Sequence, residues 1–201
     1  MSELANTNVS RRTVLAGAGA LGLASLIYPT GRSQAAGSIL KVRSYADIQI
    51  LDPAYRLAAP EGEITNVIFA GLVVATSGDK WGWKPMAVET IEQLDPLTIS
   101  FKLRDNIGFT DGFGQLTTED VKFSIERIAD PKNESPYAGD WATLKEVEIK
   151  DKLSGLIHLK ETFAPLWTST LPTPSSTILS KRAVTEAGGK LGVTAVAQSG
   201  P

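Results

Sequence analysis

From Val88 to Leu103, apolar and polar residues alternate on both sides of Leu94-Asp95-Pro96. A period of two sends successive side chains to opposite faces of a strand. Ile99, Phe101 and Leu103 therefore share one face, and Thr98, Ser100 and Lys102 the other. The pattern predicts a hairpin with one dry side and one wet side. The period then changes. Val121, Ile125 and Ile128 follow at i, i+4 and i+7, the apolar stripe of an amphipathic helix. Thr117 and Asp120 have the spacing of a capping box, and Pro131 stops the run. Further on, alternation predicts a second hairpin with Val147, Ile149, Ile157 and Leu159 inward and Ser154-Gly155 turning. Before the first hairpin, Leu40, Val42, Ile48 and Ile50 read as strand, stopped at Asp52-Pro53 because proline cannot continue a ladder. Ile64, Val67, Ile68 and Leu72 fit one helical face that Gly71 could end, and Ser77-Gly78-Asp79 is turn chemistry. Residues 161–179 carry three prolines and no clean period. A short helix is predicted from Ser180, with Gly188 as its C-terminal cap. Strands and helices are intermixed, so the class is α/β, in the mixed α+β sense.

The N-terminus has its own pattern. Arg11-Arg12 precedes an apolar run from Val14 to Ile27 that is rich in Ala and Gly. The run falls short of the roughly 20 apolar residues that cross a bilayer. With small residues at Ser33 and Ala35 before a cut after Ala35, it reads as an export signal. Ser10-Arg11-Arg12 with Val14-Leu15 resembles a bacterial twin-arginine (Tat) signal. Residues 1–35 are expected to be this leader and the mature chain to be periplasmic.

The chain has no cysteine and one histidine, with a net charge of −2. No disulfide, thiolate nucleophile or Cys-based zinc site is available. His158 falls on the polar face of its strand, and no Gly-x-Ser-x-Gly elbow accompanies it. No basic stripe interleaved with aromatics suggests nucleic acid. No metal or cofactor is expected. Trp81, Trp83, Trp141 and Trp167 suggest stacking on a carbohydrate or peptide, or else packing, and Trp81 and Trp83 in one Gly/Pro loop cannot both be buried on the same terms.

Ala87, Asp95, Ile99–Arg104, Phe109, Asp111-Gly112, Leu116-Thr117 and Glu119-Asp120-Val121 stand in an order and spacing that resembles the signature region of family 5 extracellular solute-binding proteins, the peptide, nickel and opine receptors of bacterial ABC importers. Leu51-Asp52-Pro53, Asn66–Val73, Trp83–Thr90, Thr177–Val184 and the closing Ser199-Gly200-Pro201 agree with it. Ala70 stands where the family usually has Glu.

The resemblance implies the N-terminal lobe of a two-lobed periplasmic binding protein, with the second lobe absent. Residues 36–57 would give its first strands, 58–182 a subdomain holding the signature hairpin and helix, and 183–201 a truncated return into the lobe. It implies a monomeric receptor and no enzyme, capturing an oligopeptide, opine or similar small solute for an inner-membrane ABC permease. Tyr45, Ala46, Asp47 and Ile48 map onto the segment that pairs with the ligand main chain as an added strand would. Trp141, in the loop after the long helix, is a further candidate to reach the cleft. Arg104-Asp105 is expected to steady the strand end. A secreted hydrolase and a non-functional fragment remain the alternatives.

Overall fold

The computed structural model describes residues 41, 43–78 and 80–199. The leader over 1–35, Leu40, Val42, Asp79 and Gly200-Pro201 lie outside the described residues. Contacts divide the chain after Arg43, and everything below belongs to the Ser44–Pro201 unit.

Helix α1 spans Ala59–Ile68, with a proline in its first turn where no backbone donor is needed. It starts before the predicted face and stops short of Leu72. Its buried positions are Pro60, Glu61, Gly62 and Thr65, while Val67 is 70% exposed. The expectation of an apolar Ile64–Val67–Leu72 face is corrected for a physical reason. The helix is anchored by a buried carboxylate rather than an apolar stripe, and Leu72 is buried beyond its end. Gly71 does not cap α1 but forms an antiparallel bridge with Thr177.

Strands β1 (Val73–Thr76) and β2 (Gly82–Pro85) pair as a small antiparallel ribbon. Strands β3 (Val88–Asp95) and β4 (Thr98–Leu103) form the predicted hairpin, with Ile99, Phe101 and Leu103 buried. Residues 105–116, which include Gly108, Gly112 and Gly114, contain two short strands, β5 (Gly108–Phe109) and β6 (Gly114–Gln115). Asp111 and Gly112 turn between them with φ of 59° and 75°. Positive φ at both central residues marks a type I′ turn, for which Asp-Gly is well suited.

Helix α2 (Thr118–Ala129) buries Val121, Ile125 and Ile128 as the spacing predicts. Asp120 Oδ2 accepts from the Thr117 backbone N–H at 3.0 Å and from its hydroxyl at 2.8 Å, and Oδ1 accepts from Lys181 N at 2.9 Å. One cap thus fixes the start of α2 and holds the start of α3 (Lys181–Glu186) beside it. Helix α3 ends as predicted: the N–H groups of Gly188 and Gly189 return to the carbonyls of Thr185 and Val184, the Schellman arrangement.

Strands β7 (Leu144–Ile149) and β8 (Ser154–Leu159) complete a four-stranded antiparallel sheet in the order β3-β4-β8-β7. Its inner face, bearing Ile99, Phe101, Val147, Ile157 and Leu159, packs with α2 into the main core. The turn of the second hairpin is not at Ser154-Gly155. It lies at 150–153, where Asp151 Oδ1 accepts from the N–H groups of Leu153 and Ser154 at 2.8 and 2.9 Å. Gly155 sits inside β8, opposite Phe101. Ile149, expected inward, is 41% exposed because it ends an edge strand. Phe69, Leu179, Val184 and Leu191 form a second, smaller core cluster.

His158 points to the outer face, as its parity requires. There Nε2 meets Glu148 Oε2 at 2.9 Å. Arg104 makes no ion pair with Asp105 among the described residues. It steadies the strand end instead by donating from Nε to Met86 O at 3.0 Å and from its backbone N to Ala87 O at 2.9 Å.

Candidate functional site

The chain entering the fold is fastened by two buried carboxylates. Glu61, at the third position of α1, is 1% exposed. Its Oε2 reaches back to the N–H groups of Leu57 and Ala58 at 2.5 and 3.1 Å, the glutamate half of a capping box. Its Oε1 accepts from the N–H groups of Gln49 and Ile50 at 2.8 and 3.1 Å. Burial pushes this carboxyl upward, but four backbone donors outweigh it and hold it below the ordinary glutamate range.

Asp52, 0% exposed, is the second anchor. Arg127 of α2 grips it with two bonds, Nη1 to Oδ1 at 2.9 Å and Nη2 to Oδ2 at 2.6 Å. Arg127 Nη2 also donates to Gly189 O at 2.7 Å, and Asp52 Oδ2 accepts from Leu191 N at 3.0 Å. The two-pronged geometry suits a guanidinium and a carboxylate, and the extra bonds satisfy what burial would otherwise leave unpaired. Three separate segments, at residues 52, 127 and 189–191, meet at one ion pair.

Tyr45, Ala46, Asp47 and Ile48 lie just upstream of these anchors. Tyr45 is 78% exposed. Ala46 bonds locally, its carbonyl accepting from Ser44 Oγ at 2.7 Å and its N–H donating to the same oxygen at 3.3 Å. Among the described residues, the backbone groups of Tyr45, Asp47 and Ile48 have no hydrogen-bond partner. Residues 44–50 join no ladder, so the strand expected at Ile48 and Ile50 is not formed. The reason is visible next door: the N–H groups of Gln49 and Ile50 are taken by Glu61.

Trp141 does not reach a surface. It is 1% exposed, packs in the main core, and donates from Nε1 to Ser175 O at 2.8 Å. A loop position hid this, because nothing local signals that a distant carbonyl will receive the indole N–H. The five candidates therefore do not share one surface. The sequence reading also missed Glu61 and Arg127. Glu61 carried a signal, since it stands three residues after Ala58 at a helix start. Arg127 had none, because only the fold brings Asp52 to it.

The two buried anchors hold the chain from Gln49 onward, and the segment Tyr45–Ile48 lies ahead of them. Residues 82–201 match the family described as bacterial extracellular solute-binding proteins, family 5 Middle. The chain belongs to that family. It is 30% identical over 139 residues to the periplasmic oligopeptide-binding protein OppA of Escherichia coli K12, covering 66% of this chain and 25% of that protein. It is 34% identical over 88 residues to the periplasmic murein peptide-binding protein MppA of the same organism, covering 44% and 16%. Among solved structures, MoaA of A. tumefaciens R10 in complex with mannopinic acid superposes with a TM-score of 0.65 at 27% identity, over 71% of this chain and 29% of that one. The chain thus spans a quarter or less of the length of these curated relatives. The mixed α/β fold is that of a substrate-binding protein lobe. Among the described residues no helix is long and apolar enough to cross a membrane.

Proposed function

We propose that this chain is part of a periplasmic receptor that captures peptides or similar small solutes and delivers them to an ABC permease, without catalysing a reaction. The family match over residues 82–201 carries this reading. The names of the relatives, which bind oligopeptides and murein peptide, point to a peptide-like solute. Export through the twin-arginine route would place the receptor outside the cytoplasm, and residues 1–35 would be its leader.

Within it, Tyr45–Ile48 is the segment that pairs with the ligand backbone. Main-chain groups of Tyr45, Asp47 and Ile48 that have no partner among the described residues support that role, since an extended ligand is held by such groups. Trp141 serves the wall by packing and makes no ligand contact. A lobe of this kind grips solute only where a second surface closes over it.

The test is a thermal-shift and calorimetric screen of the purified receptor against di- and oligopeptides, opines and nickel chelates. A ligand at a hundred times its Kd should stabilise the protein by about 2.7 kcal/mol. A flat response across the panel defeats the reading.

A further inference from the structure

Three of the four tryptophans remain outside the core. Trp81 is 60% exposed, and Trp83 and Trp167 are half-buried. The rings of Trp83 and Trp167 stack with centroids 5.1 Å apart and planes 21° apart. Trp167 Nε1 donates to Gln93 Oε1 at 3.1 Å. The indole is thus fixed on one face and at its N–H, and among the described residues the amide nitrogen of Gln93 has no partner for its two donors.

Beside this stack is a hollow of about 540 Å3 lined by Trp167, Phe163, Pro96, Gln93, Asp95 and Thr162 among others. That volume lies in the range of small-molecule sites, roughly 300–1,000 Å3. The pairing of β3 is irregular between Gln93 and Asp95, and such bulges re-aim side chains beside sites. The N–H of Leu97 and the hydroxyl of Thr98 hold the Asp95 carboxyl below its ordinary range, so it is an acceptor at neutral pH.

We propose that this hollow is a binding site for a neutral pyranose sugar, sharing no residue with the segment Tyr45–Ile48. A pyranose ring has an apolar C–H face, which suits the Trp167 and Phe163 rings. It also has a rim of hydroxyls that donate to a carboxylate and accept from an amide. No lysine or arginine lines the hollow, so an anion finds no partner and meets Asp95. A wholly apolar ligand would strip water from Asp95, Gln93 and Thr162 and replace none of its bonds. This inference stands independently of peptide capture, and its test reads a different surface.

The test is saturation-transfer NMR and tryptophan fluorescence on the full chain with D-glucose, D-galactose, N-acetyl-D-glucosamine and their disaccharides. At least one should bind saturably with a Kd in the millimolar range or tighter, with saturation passing to its ring C–H protons. Trp167→Ala should weaken binding by about tenfold or more. Asp95→Asn and Gln93→Ala change exposed side chains and should keep the wild-type circular dichroism while weakening the sugar several-fold. The proposal falls if no sugar saturates, if Asp95→Asn and Gln93→Ala bind as wild type, or if a cationic probe such as arginine methyl ester binds in place of every sugar. An oligopeptide that displaces the sugar also overturns it, because the two sites would then be one.

Discussion

Single buried groups hold the entry segment in place, and each has a measurable consequence. Replacing Glu61 with Gln keeps the size but turns one acceptor oxygen into a donor, leaving two of the four backbone N–H groups facing an amide NH2. Unmet buried donors cost about 1–3 kcal/mol each, so Glu61→Gln should lower the urea midpoint by an amount equal to about 2–6 kcal/mol. The same carboxylate makes stability depend on pH. Its folded value lies below its ordinary value of 4.5, so the folded state favours the charged form. Its contribution is complete above the unfolded value and disappears as pH falls through the folded one. Urea titrations from pH 6 down to pH 3 should show a loss that is smaller in Glu61→Gln than in the wild type, the remainder coming from other lowered carboxylates such as Asp95. At the other anchor, Arg127→Met would strand the Asp52 charge in a site that is 0% exposed. Breaking a buried pair from one side costs about 3–5 kcal/mol. Adding Asp52→Asn should recover part of that loss, since the stranded charge rather than the missing attraction carries most of it. A double mutant no better than Arg127→Met would contradict this account.

At the scale of elements, the hairpin β3–β4 and helix α2 form one unit through a close approach at Gly155. A Cβ there would lie 2.7 Å from Glu148 O and 2.8 Å from both Phe101 Cζ and Thr118 Cγ2. The first neighbour is backbone and cannot give way. Gly155→Ala should therefore destabilise by about 1–3 kcal/mol, read from the denaturation midpoint, whereas Gly139→Ala, with nothing within 4 Å, should change little. A Gly155→Ala protein as stable as wild type would show that the sheet and helix do not pack as described. The sequence announced the hairpin, the capped helix and the Gly188 ending because their signals are local: alternation, an i, i+4, i+7 stripe, a cap three residues from its partner. It misplaced the second turn because Ser-Gly is turn chemistry in isolation, while the glycine is required by a neighbouring strand and helix. It misread α1 because a buried carboxylate leaves no apolar stripe. The candidate site was legible in the same measure. Tyr45–Ile48 rests on resemblance alone and stays a proposal, whereas the surface position expected of Trp141 failed because its burial depends on Ser175, far along the chain.

For the whole molecule, the question is how a rigid wall leaves a chain segment free to bind. Glu61 and the Asp52–Arg127 pair bind the chain from Gln49 onward, and the bonding stops abruptly at Ile48. Ahead of this boundary Tyr45 and Asp47 are exposed, Ala46 and Ile48 are half-buried, and the main-chain groups of Tyr45, Asp47 and Ile48 have no partner among the described residues. Such a boundary separates what stability needs from what binding needs. Proline tests the separation, because it removes one N–H and fixes one torsion without altering the core. Asp47→Pro takes away a donor that no described group uses, so the unfolding free energy should stay within about 0.5 kcal/mol of wild type. If a ligand main chain pairs along Tyr45–Ile48, the same change should weaken the ligand identified by the screen by about tenfold, or 1.4 kcal/mol. Asp47→Ala, which keeps the N–H, should bind close to wild type. Unchanged affinity in Asp47→Pro would remove the ligand backbone from this segment. Equal losses in the proline and alanine variants would assign the effect to the carboxylate side chain instead. A large loss of stability in Asp47→Pro would mean that the wall and the binding segment are one structure, with the boundary at Ile48 having no functional meaning.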